Sequence, residues 1–391
     1  RILADQSAEA IEWLMGLGVP FAPDNLSIGG SEREFTHITP AKPRSHWPGL
    51  PAVGRGGTKL FSFLEQAVKG RKIDVLVKTT ATELIASSKG EVVGVKATSQ
   101  GSEKVIRARQ AVILADGGFL YSPEMLKQFW SNAQYVTAGK VDYSSHPGET
   151  GDGIRMAMAL GAGLTGMGGN FSIPRELVPC GPQLAYRPKP RFPSIFIDRR
   201  GERFVNEDLS IGTISAALDT LDNKGLTAFQ VFDDTAMKLL LEHRNELGIP
   251  EFRLAKALSA PTIDELATKL DIPATRLENT ISLWNRYAEM GEDPEYGKTG
   301  ETVGPISTPP FWAFELLRRL DVFLGGLKTN TKGQVLHALH DRPIPRLYAA
   351  GQSTGGRFGF FYPSSGGALL DCFVFGRITG RCAAEEKPVE E

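Results

Sequence analysis

The segment that most constrains the fold lies near the C-terminus, where an apolar run, a glycine-rich loop and a second apolar run follow one another. Residues 347–350 have the length and composition of a short buried strand, and the run that begins near residue 366 is typical of a helix. A helix start exposes unpaired backbone N–H groups and the positive end of the helix dipole. The segment therefore suits an electron-rich ring edge or a developing anion. Its glycine content alone fits an ordinary strand, loop and core helix equally well.

The order of residues in this segment favours the first interpretation. Residues 351–356 read Gly-Gln-Ser-Thr-Gly-Gly and residues 362–367 read Tyr-Pro-Ser-Ser-Gly-Gly. This order closely resembles the C-terminal segment of the flavoprotein superfamily that contains fumarate reductases, 3-ketosteroid dehydrogenases and tricarballylate dehydrogenase. In that superfamily the strand and loop pass the ribitol of FAD, and the helix start faces the pyrimidine edge of the isoalloxazine. The resemblance implies that FAD is the cofactor and that the following residues contact it: Gly351, Gln352, Leu369 and Leu370.

A β-rich stretch lies upstream and begins with a predicted strand at residues 73–77. It continues to about residue 114 in short segments that are broken by Gly90 and Gly101. The stretch resembles the part of the superfamily's nucleotide domain whose backbone reads adenine. The resemblance places that contact at Ala81.

A glycine pair follows the last of these segments. Residues 114–119 correspond to the superfamily's Ala-Thr-Gly-Gly-Phe motif, which assigns Gly117 and Gly118 to cofactor binding. Asp116 replaces the threonine. A carboxylate beside a pyrophosphate is electrostatically unfavourable, so the orientation of Asp116 is left open.

The motif at residues 148–153, Gly-Glu-Thr-Gly-Asp-Gly, precedes a predicted helix. Thr150 or Asp152 could cap that helix through a side-chain oxygen. In the superfamily the residue that matches Asp152 also contacts the flavin cofactor, and the two roles are compatible.

The middle of the chain has a different character. Residues 201–207 resemble the superfamily's Gly-x-Arg-Phe-x-Asn-Glu signature at the entrance to a mobile capping domain. The predicted fold is α/β: a Rossmann-like FAD-binding domain, formed by residues 1–170 and 316–391, with an inserted α+β capping domain at 171–315. No GxGxxG turn occurs in the sequence, so the first strand of the Rossmann unit is expected to be missing. In the final helix, Gly376 and Gly380 are expected to permit tight packing.

Composition excludes several classes of function. The chain has 44 Lys plus Arg against 45 Asp plus Glu, which gives no footprint for nucleic acid. No apolar run reaches the roughly 18 residues that a membrane span needs. Three cysteines are too widely spaced for a metal site or a disulfide framework, so no metal is expected and a reducing compartment such as the cytoplasm is favoured.

The chemistry of this superfamily requires a flavin N5 to exchange hydride, a group that polarises the substrate, and an acid or base for the second proton. In fumarate reductases an arginine four residues after the signature glutamate donates the proton, and Ile211 occupies that position here. The fumarate-binding histidine is also missing, because Asp321, Val322 and Phe323 occupy that stretch, and the last arginine aligns near Ser364. These replacements predict that the chain is not a fumarate reductase.

Tyr362 and Gly366 are the predicted catalytic residues. Their spacing repeats the Tyr-Pro-x-x-Gly of 3-ketosteroid dehydrogenases, in which the tyrosine hydroxyl and the glycine amide bind a carbonyl oxygen. A phenol and a helix-start amide aimed at one oxygen form an oxyanion-hole arrangement. Tricarballylate dehydrogenases carry a similar loop, so the spacing does not choose a substrate. Tyr362 could instead be a wall residue that packs on the flavin.

The predicted function is that of an FAD-dependent oxidoreductase acting on a CH–CH bond next to a carbonyl or carboxyl group of a small molecule. Neither the missing base nor the electron partner is identified. Candidates for the base are Tyr121, Tyr186 and Ser210, candidates for an anion anchor are Arg191 and Arg357, and His46 is a further candidate for contact with substrate or flavin. The alternative is a fragment or degenerate homologue that keeps the fold without redox activity.

Overall fold

The protein was analysed as a computed structural model with helices and strands in alternation. The structure describes residues 1–27, 45–48, 56–132, 141–143, 145–175, 192–209, 211–223, 227–247, 249, 251–299, 302–359, 362 and 366–389. The helices are α1 (Ile2–Asp5), α2 (Ser7–Gly16), α3 (Gly56–Gly70), α4 (Pro123–Phe129), α5 (Asp152–Ala159), α6 (Ile211–Asn223), α7 (Asp234–Leu247), α8 (Glu251–Leu254), α9 (Ile263–Leu270), α10 (Ala274–Met290) and α11 (Gly367–Ala384). The strands are β1 (Phe21–Ser27), β2 (Ser45–Pro48), β3 (Thr79–Ala86), β4 (Val92–Ser99), β5 (Ser102–Arg107), β6 (Val112–Leu114), β7 (Val141–Tyr143), β8 (Leu164–Thr165), β9 (Asn170–Arg175), β10 (Ile195–Asp198), β11 (Ala228–Phe232), β12 (Leu258–Ala260), β13 (Phe311–Glu315), β14 (Leu317–Phe323), β15 (Gly326–Leu327), β16 (Gln334–Leu336) and β17 (Pro343–Ala349).

The strand predicted near residue 347 lies at the centre of a small sheet. β17 pairs in parallel with β6, with Leu347 opposite Val112, and pairs antiparallel with β16. Leu347 and Ala349 are fully buried because the sheet is covered by a core to which residues 84–167 and 320–349 contribute. In that core the ring of Phe119 stacks on Phe323 with centroids 4.9 Å apart. The sheet thus brings the two glycine loops that follow β6 and β17 to the same edge, as parallel strands require.

The other edge of β6 has no strand partner among the described residues, and Ile113 is 42% exposed there. The strand predicted at residues 73–77 is wrong: these residues form turns and irregular chain. A strand needs a partner for its backbone N–H and C=O groups, and within the described part of the chain none pairs with this segment. Its apolar side chains are accordingly 53–72% exposed: Ile73, Val75, Leu76 and Val77.

A second region of the chain builds its own core around β11. This strand pairs with β10 and β13, and all five of its residues are buried. Phe229 and Val231 pack on one side with α9 and α10, while Ala228 and Phe232 belong to two other clusters. Burial on both faces explains why four of the five residues of β11 are apolar, and the side-chain amide of the buried Gln230 at its centre donates to the hydroxyl of Ser194 at 2.9 Å. The division into an FAD-binding domain and a capping domain at 171–315 stays a prediction.

The two chain segments that lead into and out of this region pair with each other. β9 and β14 form an antiparallel ribbon from Leu317↔Arg175 to Phe323↔Asn170, and β7 adds in parallel to β14. The register shifts between Leu320 and Val322, so Asp321 lies in a β-bulge. The ribbon also positions one side of the candidate site.

The final helix α11 does not pack tightly at its glycines. A Cβ built at Gly376 or Gly380 would have no heavy atom within 4 Å, so the expectation of close packing at these positions is wrong. In the described part of the chain, no helix has both the length and the apolar character needed to span a membrane.

Candidate active site

A single carboxylate joins the three glycine motifs. Asp116 follows β6, and its Oδ2 accepts the backbone N–H of Gly153 at 2.7 Å. Its Oδ1 accepts the hydroxyl of Ser353, at 3.2 Å, from the loop that follows β17. A Cβ at Gly153 would lie 2.2 Å from Asp116, so the close approach requires glycine. The carboxylate that is unfavourable beside a pyrophosphate faces the first turn of α5 instead.

This contact also settles how α5 is capped. Its N-cap is Gly151, with φ +74°, and no side-chain oxygen of Thr150 or Asp152 accepts a backbone N–H of the first turn. The hydroxyl of Thr150 donates to Asp152 at 2.8 Å, and Arg155 pairs with the same carboxylate. The capping interpretation of these two residues is therefore wrong, because Asp116 supplies the acceptor for the first turn from another strand.

Glu149 forms the floor beneath the glycine pair. The side-chain amide of Gln352, with its nitrogen turned toward Glu149, donates to both carboxylate oxygens at 3.2 and 3.3 Å. The backbone oxygen of Gly118 accepts Gly151 N–H at 3.0 Å, and a Cβ at Gly117 would lie 3.1 Å from Glu149. Burial raises the pKa of Glu149, opposed by a hydrogen bond from Ser145. The sequence analysis missed Glu149, although it lies within the motif at 148–153.

Two predicted cofactor residues line one groove. Ala81 on β3 and Asp152 on α5 both border a groove of about 610 Å³ between these elements. The two residues are far apart in the sequence, and the packing of α5 on β3 brings them together.

Both predicted catalytic residues contact or cap the start of α11. Gly366 is its N-cap in the left-handed conformation, with φ +83°. The hydroxyl oxygen of Tyr362 accepts the backbone N–H of Ala368 at 2.9 Å, so the phenol lies over the first turn of the helix. Its ring stacks on Phe171, with centroids 4.5 Å apart, and meets Phe358 edge to face. Tyr362 is thereby fixed by the helix, the loop and the β9 strand together.

The predicted flavin contacts on α11 differ in exposure. Leu369 is 53% exposed, whereas Leu370 is half-buried and packs with Val374 and Phe375. Leu369 thus presents apolar surface close to Tyr362 at the same helix start.

Arg357 holds the loop to α11 rather than standing open as an anion anchor. Its Nε lies 3.0 Å from Asp371, without hydrogen-bond alignment of that carboxylate oxygen, and its guanidinium lies 3.4 Å from the ring centre of Phe375. It also donates to Thr354 at 3.0 Å and to Thr329 at 3.3 Å. Burial lowers the pKa of Arg357 and raises the pKa of Asp371 to about 6. The pairing is with a buried acid, not with a surface one.

The signature at 201–207 forms a buried ionic cluster, here called the cap cluster, made of Arg203, Glu207, Asp293 and Lys298. Each side chain is at most 2% exposed. Arg203 reaches Glu207 at 3.1 Å and Asp293 at 2.9 Å, and Lys298 reaches Glu207 at 3.1 Å. Two buried cations face two buried carboxylates, and a third carboxylate, the exposed Glu295, lies 3.8 Å from Arg203 outside this set.

Neighbouring groups complete the cap cluster. Arg203 lies 4.7 Å from the ring centre of Trp284, and the backbone N–H of Phe196 donates to Glu207 at 2.9 Å. Burial would raise the pKa of Glu207, but Lys298 and Arg203 more than compensate and hold it below its usual value. The signature therefore joins β10 to the loop at residues 293–298, and its charged side chains make structural contacts.

The candidates for a base are only partly described. The hydroxyl of Tyr121 donates to the backbone oxygen of Ser145 at 3.1 Å, and its ring stacks on Tyr143. Tyr186, Arg191 and Ser210 lie outside the described residues, as does Ser364. His46 falls in β2 and Ile211 begins α6, but their side chains are likewise outside the description.

The sequence predicted no catalytic role for Asp321, which lies on the strand that pairs with the strand of Phe171. Asp321 is in the bulge of β14, and burial raises its pKa to about 6 while Arg319 opposes the shift. Its side chain is 20% exposed, and its Oδ1 lies 3.6 Å from Nε of Arg319. A charged residue between the buried Leu320 and Val322 is the signal that could have drawn attention to it.

The residues present fit a dinucleotide. Glycine-rich loops follow β6 and β17 at one edge of the sheet, and α11 begins at Gly366 without a side-chain cap. Such helix starts suit phosphate and electron-rich ring edges. The fold and this arrangement define a flavoprotein of the dinucleotide-binding class.

The comparison with protein families agrees. The family model described as FAD binding domain matches residues 1–369, so the chain belongs to the FAD-binding domain family. This confirms the family predicted from the motifs and FAD as the cofactor. Across the described residues no group of His, Cys, Asp or Glu is arranged to hold a metal ion.

Several proteins that are similar to this chain are redox enzymes. The chain is 30% identical to NADH:acrylate oxidoreductase of Vibrio harveyi, over 98% of this chain and 36% of that protein. It is 29% identical to vinyl phenol reductase of Lactiplantibacillus plantarum, over 98% and 80%. Among solved structures, 3-ketosteroid-Δ4-(5α)-dehydrogenase of Rhodococcus jostii RHA1 matches with a TM-score of 0.78 and 29% identity, over 98% and 79%. The chain thus spans about a third of the acrylate enzyme.

Proposed function

We propose that this chain is an FAD-dependent oxidoreductase that reduces or forms a carbon–carbon double bond next to a carbonyl or carboxyl group. The observation that carries the proposal is Tyr362, fixed with its hydroxyl at the start of α11. The relatives named above are an acrylate oxidoreductase, a vinyl phenol reductase and a ketosteroid dehydrogenase. The small-molecule substrate and a cytoplasmic location are parts of this proposal.

The cofactor would be held by the groups at one sheet edge. These are Ala81 and Asp152 along the groove, Gly117 and Gly118 after β6, and Gly351 and Gln352 after β17, with Leu369 and Leu370 at the helix. Bound FAD supplies hydride exchange at its N5. The part of the protein is then to bind the substrate, to stabilise charge on its oxygen and to move one proton.

Tyr362 is placed to stabilise that charge. The N–H of Ala368 donates to the phenol oxygen, and a donor that itself accepts a hydrogen bond is polarised and becomes a stronger donor. As an enolate forms, negative charge develops on the substrate oxygen, and the positive end of α11 favours it. The backbone N–H of Gly366 is the second proposed donor.

The charge of the site favours a neutral or singly charged substrate. A dicarboxylate needs two fixed cations, and the matching positions hold Ile211, Val322 and, nearby, Ser364. Arg357 is already engaged with Asp371. Enones, ketones and monocarboxylates therefore fit better than fumarate.

Flavin reoxidation tests the proposal. The chain is loaded with FAD, reduced anaerobically with dithionite, and mixed with cyclohex-2-enone, acrylate or fumarate while the flavin absorbance is followed. We expect reoxidation by the enone or the monocarboxylate, with saturated product in equal amount, and little reoxidation by fumarate. Rapid reoxidation by fumarate with stoichiometric succinate would refute the substrate assignment.

A second candidate is a chain that keeps the fold without redox turnover. The open edge of β6 and the exposed apolar segment at 73–77 favour it, because both leave the sheet beside the cofactor groups unpaired in the described residues. A loaded chain that no unsaturated carbonyl compound reoxidises would support this candidate.

A further inference from the structure

The face of the β9–β14 ribbon that carries Phe171 also carries an acid. Directly opposite residues on paired strands share a face, so Phe171 and Val322 lie on one face while Leu320 and Ser172 lie on the other. Alternation along β14 then places Arg319 on the Phe171 face, and the contact of 3.6 Å shows that Asp321 lies with it. Phe171 stacks on Tyr362, so this face borders the phenol.

Asp321 is poorly compensated for a buried carboxylate. Its Oδ1 is buried and has no hydrogen-bond donor among the described residues, and Arg319 is too distant for a good hydrogen bond. A carboxylate held in place for structure alone normally has donors on both oxygens. A β-bulge beside an active site commonly re-aims a side chain, and Asp321 occupies the bulge.

We infer that Asp321 is the proton carrier of the reaction, acting at the carbon next to the carbonyl that Tyr362 holds. The inference rests on the proposed function. It assigns the role for which the superfamily position offers only Ile211.

The step balances in both directions. In a reduction, the O–H bond of protonated Asp321 breaks and a C–H bond forms at the α carbon, while both electrons arrive with the hydride at the β carbon. Solvent then returns a proton to Asp321. In a dehydrogenation, the Asp321 carboxylate takes the α proton and the hydride leaves from the β carbon to the bound cofactor.

The direction of the reaction fixes the pH dependence. Burial raises the pKa of Asp321 to about 6, and the charged or titratable groups described on the same face are Arg319, Asp142 on β7 and Tyr362. Reduction needs the acid form, so kcat/KM falls as the pH rises through about 6. Dehydrogenation needs the carboxylate, so kcat/KM rises through the same range.

The experiment compares the FAD-loaded wild type with Asp321→Asn and Asp321→Glu. We expect Asp321→Asn to lower turnover of cyclohex-2-enone by about 10²- to 10⁴-fold, the usual contribution of general acid–base catalysis, and to abolish the pH limb. Asp321→Glu should restore part of the turnover with a displaced limb. The control is Asp341→Asn, which removes a surface carboxylate that is 63% exposed and paired with Lys328 at 2.7 Å.

A second measurement does not depend on turnover. In chain labelled with ¹³C at the aspartate carboxyl carbons and free of FAD, one resonance should titrate near pH 6 and vanish in Asp321→Asn. If Asp321→Asn matches the wild type in rate and pH profile, or if no such resonance is lost, the inference is wrong while the proposed function stands. A wild type that neither reduces the enone nor dehydrogenates cyclohexanone refutes the proposed function and the inference together.

Discussion

Replacing Lys298 by methionine tests whether charge balance holds the cap cluster together. Lys298 and Glu207 are fully buried, with Nζ 3.1 Å from the carboxylate. Lys298→Met keeps most of the side-chain volume but removes one of two cations, so one negative charge is left uncompensated in the interior. Removing one partner of a buried ion pair costs about 3–5 kcal/mol. For a domain of about 150–250 residues this corresponds to a fall in Tm of about 6–20 °C.

The matched control and a double variant isolate the electrostatic part. Lys238→Met removes a cation that is 74% exposed and 2.9 Å from Asp234, and solvent screens such a surface pair, so its removal should cost much less stability. Combining Lys298→Met with Glu207→Gln restores the balance of charge. The double variant should therefore be less destabilised than the sum of the two single ones.

The direction in which the stability changes with pH is a further test of this ion pair. Lys298 and Arg203 hold the pKa of Glu207 below its usual 4.5 against the effect of burial. The stabilisation is therefore complete above about pH 4.5 and is lost as the pH falls through the folded-state pKa. Calorimetry and urea unfolding should show the largest difference between wild type and Lys298→Met at neutral pH, and a smaller one below pH 4.5. A loss no greater than that of Lys238→Met at pH 7 would refute this account.

Three further outcomes are expected. Tyr362→Phe should lower turnover by roughly 10²- to 10³-fold with unchanged FAD content in the absorption spectrum, and near-normal turnover would leave it a wall residue. Asp321→Asn should raise the free energy of unfolding at pH 8 by at most about 3 kcal/mol. The reason is that a carboxyl group whose pKa is raised to about 6 destabilises the folded state as the pH rises from about 4 to 6. A gain in stability that persists at pH 3.5 would contradict this. Gly153→Ala should displace Asp116, lower the FAD content, and lower the free energy of unfolding measured in urea by about 1–3 kcal/mol. Gly376→Ala, with open space around it, should instead raise the free energy of unfolding by about 0.5–1 kcal/mol.

The sequence predicted what is encoded locally. The strand, glycine loop and helix from residue 347 onward carry their own turn and helix-start signals. The family and the cofactor predicted from this segment were confirmed by the comparison with protein families. The residues assigned to the cofactor and to catalysis stay predictions, although Ala81 and Asp152 border one groove and Tyr362 lies at the start of α11.

What the sequence did not predict depends on distant partners. In the sequence, Asp116 is an unfavourable charge beside a pyrophosphate, whereas in the structure its carboxylate accepts the backbone N–H of Gly153. Arg357 reads as a free cation until Asp371 and Phe375 enclose it. The segment at 73–77 has the composition of a strand, but it can form a strand only where a neighbouring strand is available to pair with it. Asp321 owes its position to a bulge, which is a property of the pairing of two strands.

The β9–β14 ribbon has a consequence for changes in chain length. Because Arg175 and Leu317 are paired across the ribbon, the chain enters and leaves the segment between them at neighbouring points, about 5 Å apart as in any antiparallel pair. The distance between these two points is set by the ribbon and not by the length of the segment. An insertion or deletion within the segment therefore need not change the spacing of β9 and β14.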